Sequence, residues 1–213
     1  SRMLEPEVAT VLTGRNHTVT LWPLSFAEFI SFKGQEVPSG ALTGLGPSLR
    51  PLLMEYLRFG GYPESALAES DRVREALLKQ YFRDILYRDV VSRHQVRDIR
   101  ALEQTASHLL VNTANLVTYN RLKNTYGLSM DQVRSYARYL DECYLVREVP
   151  RFAFKVSTQS RSPRKVHATD VGLRNAVAFR FSEDLGRLAE TVVHGQLARN
   201  EYLAAGCPYS KCH

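Results

Sequence analysis

Thr118 to Phe152 reads T-Y-N-R-L-K-N-T-Y-G-L-S-M-D-Q-V-R-S-Y-A-R-Y-L-D-E-C-Y-L-V-R-E-V-P-R-F, and the fold of the chain turns on how this stretch is parsed. The pattern predicts a short helix, a turn at Gly127, a longer helix, and then a strand running into a basic hairpin. Ser129 is placed to N-cap the second helix, and Gln132, three residues on, completes a capping-box spacing that fixes where the helix starts. Val133, Tyr136 or Ala137, Leu140 and Tyr144 recur at helical spacing and would face a core, with Cys143 on the same side. Helix, turn, helix and β-hairpin is the order of a winged helix-turn-helix, a common DNA-binding module. The same period also fits two packing helices with no role in nucleic-acid binding.

The outward face of the second helix should centre on Asp131, Ser135, Arg138 and Glu142, with Gln132 and Arg134 flanking it. Two acids on that face would repel phosphates, which argues against base reading by the helix alone. Charge is concentrated further on. Between Arg151 and Ser182 stand Arg151, Lys155, Arg161, Arg164, Lys165, Arg174 and Arg180 against one acid, Asp170, so this segment accounts for the whole net charge of +6. The sequence therefore predicts that duplex DNA, if bound, is held by Arg134 and Arg138 on the helix and by Arg151, Lys155, Arg161, Arg164 and Lys165 in the wing, with strong salt dependence. A solvated basic loop is the alternative reading.

Working outward, 213 residues allow one domain or two, and 44% hydrophobic with 23% charged residues fits a globular protein rather than a disordered one. No apolar run approaches the roughly 18–20 residues that span a bilayer, and no charged-then-apolar leader opens the chain, so no membrane partner is expected. Three cysteines (Cys143, Cys207 and Cys212) do not read as a disulfide framework, and a cytoplasmic location is expected. Glu5 to Thr13 reads as a helix and Thr18 to Trp22 as a short strand ended by Pro23. Ser25 with Glu28 has capping-box spacing, Lys33 to Pro51 reads as loop, and a helix follows to about Phe59. Asp71 to about Arg93 reads as one long helix with Val73, Leu77 or Leu78, Tyr81 or Phe82, Ile85 and Val90 inward; Ile99 to about Thr113 and Leu185 to Tyr202 read as two more. C-x4-C-H at Cys207, Cys212 and His213 lacks the usual zinc spacing and a fourth ligand, so no metal site is expected. The final G-C-P-Y-S-K-C-H reads as cut off.

Five motifs stand out in order: Gly14-Arg15 with L-W-P-L-S-F-A-E-F (Leu21 to Phe29), L-R-F-G-G-Y-P-E (Leu57 to Glu64), Y-F-R-D-I-L-Y-R-D-V (Tyr81 to Val90), K-V-H-A-T-D-V-G-L-R-N-A (Lys165 to Ala176) and D-L-G-R-L-A-E-T-V-V (Asp184 to Val193). Together they resemble a prokaryotic family of AAA-type ATPases with a C-terminal winged helix and a domain similar to restriction-endonuclease-like folds. The resemblance implies ATP and Mg as cofactors of an intact parent protein and self-assembly into an oligomer. None of the 12 glycines opens a G-x-x-x-x-G-K-[ST], and no Walker-B-like apolar run ends in Asp-Glu, so this chain should hold no cofactor and hydrolyse no ATP alone. Arg15 stands where the resemblance implies an arginine finger, or else it is a surface arginine beside a Gly C-cap. Glu190 resembles the helix acid of a nuclease-like site, but none of the six lysines has Asp or Glu two residues before it, and Thr191 replaces the usual Asn. Gly60, Gly61 and Pro63 resemble a lid motif, for which a structural role is the physical reading: Gly-Gly permits positive φ and Pro63 starts a helix.

The expected fold is therefore mainly α with a small β component. Residues 1–22 would end an AAA-type core, 23–98 form a helical lid-like region, 99–157 the winged helix-turn-helix, and 158–213 begin an incomplete nuclease-like α/β domain. The expected function is a non-catalytic, nucleic-acid-binding piece of an ATPase, or else a lid and oligomer contact or a protein adaptor.

Overall fold

Both capping boxes written in the sequence are formed. In the computed structural model, which describes residues 20–36, 47, 49–152, 154, 162–178 and 184–206, the Glu28 amide donates to Ser25 Oγ at 3.2 Å and the Ser25 amide donates to the Glu28 carboxylate at 2.6 Å. Ser129 and Gln132 repeat the exchange at 3.1 and 2.9 Å. Each exchange satisfies amides that a helix N-terminus otherwise leaves without acceptors.

The first box starts α1 (Phe26–Phe32), which is followed by α2 (Leu49–Phe59). Pro63 opens α3 (Pro63–Leu67) at a position where its missing N–H costs nothing. Ser70 then caps α4 (Asp71–Asp84), which continues as a π-helix over Ile85–Val91 and a last turn, Ser92–His94. Next come α5 (Ile99–Val111), β1 (Asn115–Val117) and α6 (Tyr119–Tyr126), which Gly127 stops in the left-handed region at φ 66°. The second capping box starts α7 (Met130–Glu142), and β2 (Val146–Pro150), β3 (Arg164–Ala168), α8 (Val171–Val177) and α9 (Leu185–Gly206) complete the order. The chain is mainly helical with one small antiparallel sheet. Among the described residues, no helix is long and apolar enough to cross a membrane.

The strands are ordered β1-β3-β2, so the last strand enters between the first two. Val117 lies opposite Arg164, and Val146 and Pro150 lie opposite Ala168 and Arg164. Because side chains alternate along a strand, Val117, Val146, Val166 and Ala168 fall on one face and are buried against Leu122, Val133, Leu140 and Leu145. Leu78, Leu86 and Val90 of the long helix and Leu102, Leu109 and Leu110 of α5 extend that same core. The opposite face carries Leu116, Arg147, Val149, Lys165 and His167, and α9 lies across its His167 end.

Several expectations are corrected. The long helix exists, but its middle is a π-helix, and the wider turn shifts the register of the buried stripe. Leu86 in the π-helix is fully buried, whereas Val73, expected inside, is 48% exposed in the regular first turn of α4. Thr20, Leu21 and Trp22 form no strand; without a partner edge, Trp22 packs edge-on against Tyr144, with ring centroids 5.9 Å apart. Tyr144 itself sits beyond α7 at φ 57° rather than on its inward face. The boundary expected at 157/158 falls inside the β2–β3 hairpin, since β3 completes the sheet that β1 and β2 share. Residues 1–19 and 207–213, with the expected first helix, Arg15 and the C-x4-C-H run, lie outside the described residues.

Candidate functional site

Residues of four of the five sequence motifs, from Leu24, Leu57 to Gly61, Asp170 to Asn175 and Asp184 to Arg187, meet at one buried junction. Gly60 adopts φ 72°, and a Cβ there would stand 2.1 Å from Asp170 Oδ1. The Gly61 amide donates to Asp170 Oδ2 at 2.7 Å, and the Leu173 amide donates to Oδ1 at 3.1 Å. Gly61 also lies against the Leu24 backbone, whose amide donates to the Gly61 carbonyl at 2.7 Å. Asn175 Nδ2 donates to the Leu57 and Arg58 carbonyls at 2.9 and 2.8 Å, capping the C-terminal end of α2. Arg174, 1% exposed, is paired with Asp184, which also takes Arg187. Burial pushes the Asp170 carboxyl up to about 6, against the backbone N–H groups of Gly61, Leu173 and Gly172, which favour its anion. Glycines, acid and arginine are thus engaged with one another, tying α1, α2, α8 and α9 together.

The nuclease-like residues gather at the covered end of the sheet's outer face. Glu190 on α9 pairs with Lys165 on β3. One residue-pair further along, the His167 and His194 rings stack with centroids 4.1 Å apart and planes 21° from parallel. Burial, with help from the positive charge of Lys165 and from His194, pushes the His167 imidazole down to about 4, while Glu190 opposes the shift. Thr191 does not extend this group. Its hydroxyl donates to the Arg187 carbonyl and exchanges a 2.8 Å hydrogen bond with the Thr113 hydroxyl, which accepts from the Ala168 amide. Among the described residues, no group of three or more His, Cys, Asp or Glu is arranged to hold a metal ion.

The expected DNA contacts divide into two sets. Arg134 and Arg138 are exposed on α7, as is Arg151 just past β2. Arg138 reaches Glu142 only at 3.8 Å. By contrast, Arg164 pairs with the half-buried Glu148 at 3.3 Å and Lys165 is held by Glu190, so part of the charge counted in the wing is neutralised by acids elsewhere in the chain. Lys155 and Arg161 lie outside the described residues. On the outward face of α7, Asp131 and Arg138 are exposed while Ser135 and Glu142 are half-buried.

Two groups were missed in the sequence. Tyr119, at the start of α6, donates to Glu148 at 2.7 Å, and the Arg164 guanidinium lies 5.0 Å over its ring. Burial and the Glu148 charge raise the Tyr119 phenol, whereas the charges of Arg164 and Arg134 both favour its anion. Arg164 of β3 thus packs on α6 through this ring. The second group is Phe152 and Phe154, at 79% and 95% exposure. Their F-x-F spacing directly after Arg151 was the available signal.

The sequence model of a family described as a domain of unknown function (DUF8612) matches residues 50–184. An uncharacterized protein of Methanocaldococcus jannaschii is 32% identical over 208 residues, covering 95% of this chain and 46% of that protein. An uncharacterized protein of Haemophilus influenzae is 25% identical over 207 residues, covering 95% of this chain and 50% of that protein. The chain thus spans about half the length of these curated relatives. No solved structure matches it.

Proposed function

The chain belongs to that family, and we propose that it acts as a nucleic-acid-binding module that holds duplex DNA mainly by its phosphates. The observation that carries this reading is the exposure of Arg134 and Arg138 on α7 and of Arg151 just past β2, with the Arg164 guanidinium of β3 lying over Tyr119 of α6. Pro150 lies opposite Arg164 in the sheet, so Arg151 follows immediately along the same edge. Helix, strand, two helices and two strands, with the sheet order β1-β3-β2, support a winged-helix reading of residues 99–168. In that arrangement α7 faces a groove and the β2–β3 hairpin is the wing.

Phosphate contacts supply affinity without reading sequence. Asp131 and Asp141, both exposed on α7, would repel phosphates and keep the helix from close base contact. Arg134, Arg138 and Arg151 are the cations best placed to act; Arg164 and Lys165 contribute less because Glu148 and Glu190 already hold them. Fluorescence anisotropy with a short labelled duplex at low salt tests the reading. The wild type should bind, and the R134E/R138E/R151E variant should bind at least tenfold more weakly. No binding by the wild type, or equal binding by both, would overturn it.

A second reading concerns the parent protein. The relatives are about twice as long as this chain, which leaves room for the AAA-type nucleotide core that the motif resemblance implies. ATP and Mg would be held by that core, the module would assemble with copies of itself, and Arg15 would reach a neighbouring subunit's nucleotide. A coding sequence without a P-loop ahead of this segment would remove the proposal. Cys143, a free thiol that burial pushes up to about 12, is unreactive and fits a cytoplasmic protein.

A further inference from the structure

The base of the wing carries an apolar surface that phosphate binding does not use. Phe152 and Phe154 are 79% and 95% exposed, and their rings meet edge to face with centroids 5.3 Å apart. Directly before them in the chain, Pro150 and Arg151 line a cleft of about 330 Å³ together with Leu116, Val149 and Pro163, and Lys165 of the central strand lies in it between Leu116 and Val149. The cleft exists because α9 covers only part of the sheet's outer face. The helix closes over His167 through His194, and Lys165 is drawn to Glu190, but Leu116, one strand over, stays 65% exposed. Leaving two phenyl rings and this cleft in water forgoes the burial that favours folding.

We propose that the Phe152–Phe154 pair and the adjoining cleft form a stacking platform for unpaired bases, so that the module prefers a duplex carrying a single-stranded segment. The inference rests on the nucleic-acid reading above and narrows its substrate. Ring faces in an edge-to-face pair remain open on their outer sides, and every base offers a flat π-face to them whatever its sequence. Arg151 lines the cleft and directly precedes Phe152, so an exposed cation adjoins both for the phosphate of a stacked base. A protein occupant fits less well. Two rings and a cleft lined by six residues offer less than the roughly 800 Å² per side of a stable interface, and Arg151 and Lys165 in its lining would repel a second copy of the same basic chain.

The test compares three probes: a blunt duplex, the same duplex with an unpaired tail, and the tail strand alone. The wild type should favour the tailed duplex over the blunt one by between about fivefold and 100-fold, the range that one stacked base supplies. F152A/F154A should lose that preference while keeping its affinity for the blunt duplex, and F152W/F154W should retain it. Because both side chains are exposed, the thermal midpoint of each variant should match the wild type. Equal binding of tailed and blunt duplex by the wild type, or an unchanged preference in F152A/F154A, overturns the platform while leaving duplex binding intact. Equal loss on all three probes, or a change of oligomeric state in F152A/F154A, overturns it in favour of a general contact or an interface between copies. Failure of the wild type to bind any probe removes the underlying reading together with the platform.

Discussion

The junction between α2 and α8 and the outer side of α7 with its hairpin are made from the same residue types and put them to opposite uses. At the junction, Arg174 is 1% exposed and held by Asp184, and Asp170 has its oxygens filled by backbone amides. On α7, Arg138 has 65% of its side chain in solvent and meets Glu142 only loosely. A charge at the junction is a structural bond, and a charge on α7 remains available to a ligand. The contrast teaches that motif residues which look functional in sequence can be used to hold the fold together. The residues that carry the resemblance are largely engaged with one another, whereas the surface proposed to act on DNA lies mostly outside those motifs.

The comparison can be broken at several points. Arg174→Ala should have the largest effect, about 3–5 kcal/mol of lost stability in urea unfolding, because it empties a fully buried site and removes one of the two cations that hold the buried Asp184 carboxylate. A loss below about 1 kcal/mol would mean the junction does not hold the fold. Gly60→Ala should cost roughly 2–3 kcal/mol, since it forces a side chain into φ 72° and drives its Cβ into the Asp170 carboxylate. Neither variant should alter DNA affinity at temperatures where it stays folded.

The buried imidazole gives a pH test of intermediate size. His167 is held down to about 4 in the fold from an ordinary 6.5, so between those values the unfolded chain binds more protons than the folded one. Its stabilising contribution is present above pH 6.5 and is lost as pH falls toward 4, by on the order of 2 kcal/mol. Asp170 acts in the opposite sense, because its raised carboxyl costs stability as pH climbs from 3.8 to about 6. The two are separated by His167→Phe: its stability relative to wild type should improve steadily as pH is lowered through this window. A constant difference would show that His167 titrates as in the unfolded chain. The smallest effects belong to α7, where Arg134→Ala and Arg138→Ala should each change stability by less than about 0.5 kcal/mol. A larger loss would turn these exposed arginines into structural ones and erase the contrast.

Local signals were legible and distant pairings were not. Ser25 with Glu28 and Ser129 with Gln132 announced two helix starts because a capping box is complete within four residues. Gly127 announced the turn for the same reason, and the inward set of Val133, Tyr136, Ala137 and Leu140 follows from period alone. The π-helix at Ile85–Val91 has no comparable local signature, and period alone gives neither the exposure of Val73 nor the full burial of Leu86. The basic run after Arg151 is legible as a count of charges but not in its pairing. Arg164, Lys165 and Arg174 find Glu148, Glu190 and Asp184 through the fold, and no spacing in the sequence reports those meetings. Gly60 and Gly61 were legible as a backbone requirement, but the carboxylate that requires them lies 109 residues beyond Gly61.

The central claim is that cations on α7 and at the wing base bind nucleic-acid phosphates, and a salt titration of duplex binding tests it most directly. With Arg134, Arg138 and Arg151 each neutralising one phosphate, log Kobs should fall against log salt with a slope of about −3, given roughly −0.9 per phosphate on duplex DNA. R134E/R138E/R151E should bring the slope close to zero as it weakens binding. Affinity that holds steady from low to moderate salt, or a slope that survives the triple substitution, would contradict the account.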